Sequence, residues 1–180
     1  MAQMGFYINV AHCIGCKTCV VACKDTNNLE VGRNFRRVYE FCEGSFPNVS
    51  MAHVSISCNH CDEPACMKGC PTHALQKREE DGVVFIDHDR CIGCRYCEWN
   101  CPYGAPQYSE ELGMMTKCDT CLSLREKGEE PHCVTSCPMR AIEFGEIEEL
   151  RAKYGTNADI KGIPSSSITK PNLVINLLGK

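Results

Sequence analysis

The chain has 180 residues, 43% of them apolar, and a formal charge of −4, which is room for one domain or two small ones with none of the basic excess of a nucleic-acid binder. Seventeen residues are cysteine, a density found in disulfide scaffolds and metal-cluster proteins and not in an ordinary apolar core. No stretch approaches the roughly 18 apolar residues of a membrane span, and Met1 to Gly5 lacks a basic region followed by an apolar run, so a direct span and a secreted disulfide protein are both unexpected.

In chain order, the short apolar segment Phe6-Tyr7-Ile8-Asn9 leads into the first cysteine group, Cys13-x2-Cys16-x2-Cys19-x3-Cys23. A cubane of four irons and four sulfides needs a thiolate at each iron, and a tight C-x2-C-x2-C loop can wrap three of the corners. The fourth cysteine, about one helical turn on, is carried away from its own loop toward a neighbouring cluster, as in two-cluster ferredoxins. Group I continues with Lys24 where the later groups have proline, so its exit is expected to differ. Cys42 stands alone and reads as a small buried apolar residue outside any cluster.

The second group is Cys58-x2-Cys61-x4-Cys66-x3-Cys70-Pro71. Ala74 to Lys77, the turn-like Glu80-Asp81-Gly82 and Val83 to Asp87 then read as a β-hairpin. Group III, Cys91-x2-Cys94-x2-Cys97-x3-Cys101-Pro102, matches the bacterial ferredoxin run in every spacing. Group IV is Cys118-x2-Cys121-x11-Cys133-x3-Cys137-Pro138. Proline after the fourth cysteine ends the turn. Ala141 to Gly145 is a further strand candidate, and Glu146 to Tyr154, with Ile147, Leu150 and Tyr154 at helical spacing, an amphipathic helix. The tail from Ile160 is Pro/Ser-rich and loop-like, and its apolar Leu173-Val174-Ile175 would lie across the body or dock on a partner.

Groups I and III share an apolar lead-in and Cys-Ile-Gly-Cys, whereas groups II and IV share Glu-Pro ahead of their third cysteine. A two-cluster unit needs one of each type. The neighbours II and III would form one ferredoxin-like module, residues 53–102, and groups I and IV would close around it as a second, residues 1–52 with 103–155, leaving 156–180 as a tail. The fold class expected is small α+β, two bacterial-ferredoxin-like modules nested one in the other. A zinc site of two C-x2-C pairs is the competing reading. It gives no reason for a third cysteine at x2 and a fourth at x3, repeated across the groups. Lys17, Arg95 and Lys117 sit beside ligands and would either raise a cluster's potential or remain solvated surface charges. His60, His132 and Trp99 also lie between ligands, and with no cysteine missing they read as packing residues.

The run Cys13-Ile-Gly-Cys-Lys-Thr-Cys, Phe35-Arg36-Arg37-Val38-Tyr39-Glu40, Ser55-Ile-Ser-Cys-Asn-His-Cys, Cys91-Ile-Gly-Cys-Arg-Tyr-Cys, Cys101-Pro-Tyr-Gly-Ala-Pro-Gln-Tyr108, Met115-Thr-Lys-Cys-Asp and Thr169-Lys-Pro-Asn-Leu-Val-Ile175 resembles the iron–sulfur electron-transfer subunit of the dimethyl sulfoxide reductase family, over nearly the whole chain. The resemblance implies a non-catalytic subunit with four 4Fe-4S clusters, relaying electrons between a molybdopterin (Mo/W) catalytic subunit and a quinol-oxidising membrane anchor. Carried over by position, it implies the cages Cys13, Cys16, Cys19, Cys137; Cys118, Cys121, Cys133, Cys23; Cys58, Cys61, Cys66, Cys101; and Cys91, Cys94, Cys97, Cys70. Some nitrate reductase relatives have tryptophan at the position of Cys94 and a three-iron cluster; the cysteine here implies four cubanes. Location would be a peripheral membrane-associated complex, exported folded with its catalytic partner, with the cytoplasm as alternative. The competing functions are a four-cluster ferredoxin serving a hydrogenase or formate-linked complex and, from another class, a structural zinc protein.

Overall fold

The computed structural model describes residues 2–177, so Leu178, at the end of the apolar tail, lies outside the described residues. The central element is strand β1 (Met4–Asn9), flanked by two strands from the far end of the chain. Strand β8 (Ile142–Glu146) pairs with it antiparallel, Phe6 opposite Phe144 and Ile8 opposite Ile142. Strand β9 (Leu173–Asn176) pairs with it parallel, Ile8 opposite Ile175. Every inner residue of β1 is buried because both faces of the sheet are covered, which is why its sequence reads as a continuous apolar run and not as an alternation. One face carries Phe6 and Ile8 into a core shared with Val54, Cys19, Cys133 and Cys137. The other carries Tyr7 against Ile147 and Leu150 of helix α6 (Ile147–Tyr154), with Tyr7 stacked on Tyr154 at 3.7 Å between ring centroids.

Between these ends lie helix α1 (Thr18–Thr26), strands β2 (Arg37–Ser45) and β3 (Asn48–Ile56), helix α2 (Ala65–Lys68), strands β4 (Leu75–Lys77) and β5 (Val84–Ile86), helix α3 (Tyr96–Asn100), strands β6 (Gln107–Ser109) and β7 (Met114–Thr116), and helices α4 (Leu122–Arg125) and α5 (His132–Thr135). The strands form three antiparallel hairpins, β2–β3, β4–β5 and β6–β7. The β4–β5 hairpin, Leu75 opposite Ile86, is the one the sequence predicts. The strand expected at Ala141–Gly145 and the helix expected at Glu146–Tyr154 are present as Ile142–Glu146 and Ile147–Tyr154. Of the two fates expected for the tail, it takes the first: Leu173–Asn176 lies across the body as β9.

The helices carry the cysteines. Helix α1 packs against α5, and α2 against α3, which brings group I to group IV and group II to group III. Pro64 and Pro131 stand immediately before the first residues of α2 and α5, where a missing N–H costs nothing. Helices α2, α3 and α5 all stop ahead of their Cys-Pro. Helix α1, which has Lys24 in place of that proline, runs on through Cys23, and Lys24 Nζ donates to the carbonyls of Glu30 and Arg33 at 2.7 and 2.8 Å. The different exit expected for group I is this longer helix.

Two expectations fail. Cys42 is exposed on β2, not buried, because the outer half of the β2–β3 hairpin stands away from the body. Trp99, read as a packing residue, is 75% exposed, touching Tyr96 across a tilted 6.1 Å pair.

Candidate metal-cluster centres

The C-x2-C-x2-C loops of groups I and III have the same backbone. Gly15 and Gly93 take φ of 71° and 67°, and Lys17 and Arg95 take 61° and 62° just ahead of α1 and α3. At the two glycines only a missing side chain serves: a Cβ on Gly15 would lie 2.4 Å from the His53 ring, and one on Gly93 2.4 Å from the Gly113 carbonyl oxygen. Groups II and IV match each other in the same way, with His60 and Thr120 left-handed at equivalent positions. After each Cys-Pro the third residue beyond the cysteine is left-handed, at His73, Gly104 and Arg140. This turn aims the next backbone N–H at the cysteine's own sulfur: Ala74 donates to Cys70 and Ala141 to Cys137, both at 3.3 Å. The proline therefore does more than end a helix.

Two sets of sulfurs each line a hollow, with three cysteines of one group and the last of another, and the remaining cysteines lie near one another in the pattern expected for two further sets. Cys13, Cys16, Cys19 and Cys137 line one hollow, and Cys58, Cys61, Cys66 and Cys101 line another. Cys23 lies within electrostatic reach of Cys121 and Cys133, and Cys118 within reach of Cys23. Cys97 stands in the same relation to Cys70, Cys91 and Cys94. These sets are called below the first (Cys13), third (Cys58), second (Cys118) and fourth (Cys91) cages. Among the described residues, no three His, Cys, Asp or Glu side chains converge closely enough to hold a single metal ion. Cys42 is in none of the sets.

Burial, with repulsion from neighbouring sulfurs, pushes the Cys23 and Cys97 thiols up to about 12. Burial does the same to Cys61, against a hydrogen bond from Thr169, and pushes Cys121 up to about 11. Such thiols would ionise beside a cationic metal core, which fits these positions to a metal group. Cys16, which is exposed, is lowered instead by the Thr18 hydroxyl and backbone.

Polar groups aimed at the sulfurs complete the cages. Thr169 Oγ1 donates to Cys61 Sγ at 3.1 Å, and Ser55 Oγ lies 3.3 Å from Cys19 Sγ. His60 is buried beside the third cage. Its Nδ1 accepts from the Val84 N–H at 3.0 Å, which places the proton on Nε2, and Nε2 has no partner in the structure. A donor left over beside a ring of four sulfurs fits an inorganic sulfide of a cluster. Burial first, and the Lys117 charge second, hold His60 well below the ordinary imidazole range, so it is neutral.

Of the three cations singled out from the sequence, only Lys117 is buried, its Nζ on the carbonyls of Val84 and Cys118. Lys17 is exposed. Arg95 is exposed too, lying over Tyr108 at 3.9 Å and paired to Glu110 at 3.0 Å. Of the histidines read as packing, His60 packs and also offers a donor, while His132 is half-buried with Nδ1 2.6 Å from Thr26 Oγ1. Sequence reasoning misses Arg36, the largest fully buried side chain among the described residues. It also misses Asn172, wholly buried, whose amide donates to the His60 carbonyl and to Asp62 at 2.8 and 3.0 Å and so straps the tail onto group II.

Residues 49–147 match the family model of the 4Fe-4S dicluster domain. The sequence is 54% identical to the probable anaerobic dimethyl sulfoxide reductase chain YnfG of Escherichia coli and 51% identical to a chain of the anaerobic dimethyl sulfoxide reductase of the same organism; each match covers 96% of this chain and 88% of the relative. It is 38% identical to a sulfite dehydrogenase subunit of Allochromatium vinosum, over 83% of this chain and 71% of that one.

Proposed function

Because this protein belongs to the iron–sulfur subunits of the dimethyl sulfoxide reductase family, we propose that it is the electron-transfer subunit of a molybdopterin oxidoreductase complex and holds four 4Fe-4S clusters, one in each crossed cage. The observation that carries this reading is the pair of hollows lined by three cysteines of one group and the last cysteine of another. Bound there, cubanes take up and release single electrons with the charge spread over several irons. The protein's own part is to hold the sulfurs, to keep water from them and to supply N–H and O–H donors, which are levers on reduction potential.

The order of burial adds a direction along the molecule. Cys16 of the first cage and Cys94 of the fourth are exposed, and beside them Ile14 and Ile92 are 58% and 66% exposed. All four cysteines of the second cage are buried, and so are three of the third. Electrons enter and leave at the first and fourth cages and pass through the second and third. The pairing of α1 with α5 and α2 with α3 supports two two-cluster modules, groups I and IV around groups II and III. No described helix is long and apolar enough to cross a membrane. The proposed complex includes a quinol-oxidising anchor chain, with this subunit carried folded beside a catalytic one.

The test is anaerobic purification of the protein from its native cells. A large pterin-containing subunit should travel with it, and dithionite-reduced clusters should be reoxidised by an oxide or oxyanion substrate only when that subunit is present. A hydrogenase or a formate-linked enzyme in its place would give the alternative carrier role.

A further inference from the structure

Arg36 is 1% exposed, and among the described residues no carboxylate pairs with it. Its Nη1 donates to the carbonyl and hydroxyl of Ser55, both at 3.2 Å, and its Nη2 to the Ser57 hydroxyl at 3.0 Å. The Phe6 ring lies 4.7 Å from the guanidinium carbon, and Nε has no partner. A buried guanidinium stays charged and is costly unless anions lie close by. The candidates for those anions are sulfurs. Ser55, which takes two of the hydrogen bonds, touches Cys19 of the first cage at 3.3 Å. Phe6, over which Arg36 lies, shares a core with Cys19 of the first cage and Cys133 of the second, and the neighbouring Phe35 packs with Cys23 and Cys118 of the second.

We propose that Arg36 is the shared countercharge of the first and second cages, a positioning residue that raises the reduction potentials of both clusters together and so couples the first transfer step of the relay. The reading rests on cubanes in these two cages. Each oxidised cubane with four thiolates carries a charge of −2, so a fixed positive charge between two of them favours adding an electron to either. Arginine suits the place because its fork reaches Ser55 and Ser57 at once and does not lose its proton. The third cage has its own buried cation in Lys117.

The experiment is potentiometric titration, followed by electron paramagnetic resonance, of the anaerobically purified complex with wild-type chain, Arg36→Gln and Arg36→Lys, with iron counted in each. In Arg36→Gln, two of the four clusters should become harder to reduce, by about tenfold or more in the reduced-to-oxidised ratio at fixed potential, which is 59 mV for a one-electron couple. The other two should stay in place, and Arg36→Lys should restore most of the shift. Four unmoved potentials in Arg36→Gln with full iron would overturn the proposal. If Arg36→Gln fails to load clusters, loading in Arg36→Lys supports the need for charge, and failure of both reveals a purely structural guanidinium and overturns it. A wild-type protein without four cubanes would instead defeat the reading on which the proposal rests.

Discussion

The first and fourth cages differ from the second and third in a way that repeats across the molecule. At the outer pair, the middle cysteine of the C-x2-C-x2-C loop reaches solvent and an isoleucine two residues earlier does too; at the inner pair, seven of the eight cysteines are buried, with Thr169 donating to Cys61 and the buried Lys117 and His60 close by. The same ligand chemistry is thus built in two environments. An exposed ligand can approach another subunit's redox group, whereas an enclosed one is shielded from water and from side reactions, and its potential is set by fixed groups of the fold. A single mutation should therefore read differently at the two kinds of cage.

The largest contrast is expected between ligands. Cys118→Ser removes a buried sulfur of the proposed second cage and should cost the protein its folded, loaded state. Cys94→Ser or Cys94→Ala, at the rim, should lose or convert one cluster and leave three, giving about 12 to 15 irons per chain in place of about 16. Iron analysis and thermal unfolding of both variants measure the difference, and equal damage at both positions would erase the distinction. Thr169→Val should come next. It deletes the donor 3.1 Å from Cys61 Sγ, so stability should fall by about 1 kcal/mol and the third-cage cluster should become harder to reduce, with the fourth unchanged.

A smaller effect concerns pH. His60 is neutral in the fold because burial depresses its pKa well below 6.5, whereas in the unfolded state it protonates near that value. The unfolded state therefore binds the extra proton first, and the stability linked to His60 is present above pH about 6.5 and lost as pH falls below it. The unfolding midpoint should drop between pH 7.5 and 5.5, less steeply in His60→Asn. Smallest in stability is Trp99→Ala: with the side chain 75% exposed, stability should change by no more than about 0.5 kcal/mol, while electron exchange with a partner at the fourth cage slows. An unchanged exchange rate would show that this rim is not an exit.

Much of this is legible in the sequence because cysteine spacing is a covalent ruler. The strands at Phe6 and Val84, the short helix at Ile147 and the likeness of groups I and III all follow from residues whose pattern has one reading. The β2–β3 hairpin leaves no such mark: its outer half is exposed on both faces, Phe46 by 93%, so no alternation betrays it. Trp99 and Cys42 mislead because residue type suggests burial, and neither has a partner to bury against. Arg36 escapes notice for the opposite reason. A charged side chain reads as surface unless the groups that hold it inside are known, and Ser55 and Ser57, which take its hydrogen bonds, lie about twenty residues on. That the fourth cysteine crosses follows from its spacing, but which group it crosses to is nonlocal: Cys137 lines a hollow with Cys13 where α5 packs on α1.

The measurement that reaches the centre of this account is iron and acid-labile sulfide per chain on anaerobically purified protein, with electron paramagnetic resonance spectra before and after dithionite. Four cubanes give about 16 of each and no oxidised three-iron signal. About two to four zinc ions per chain and no sulfide would contradict it and make the cages structural thiolate sites.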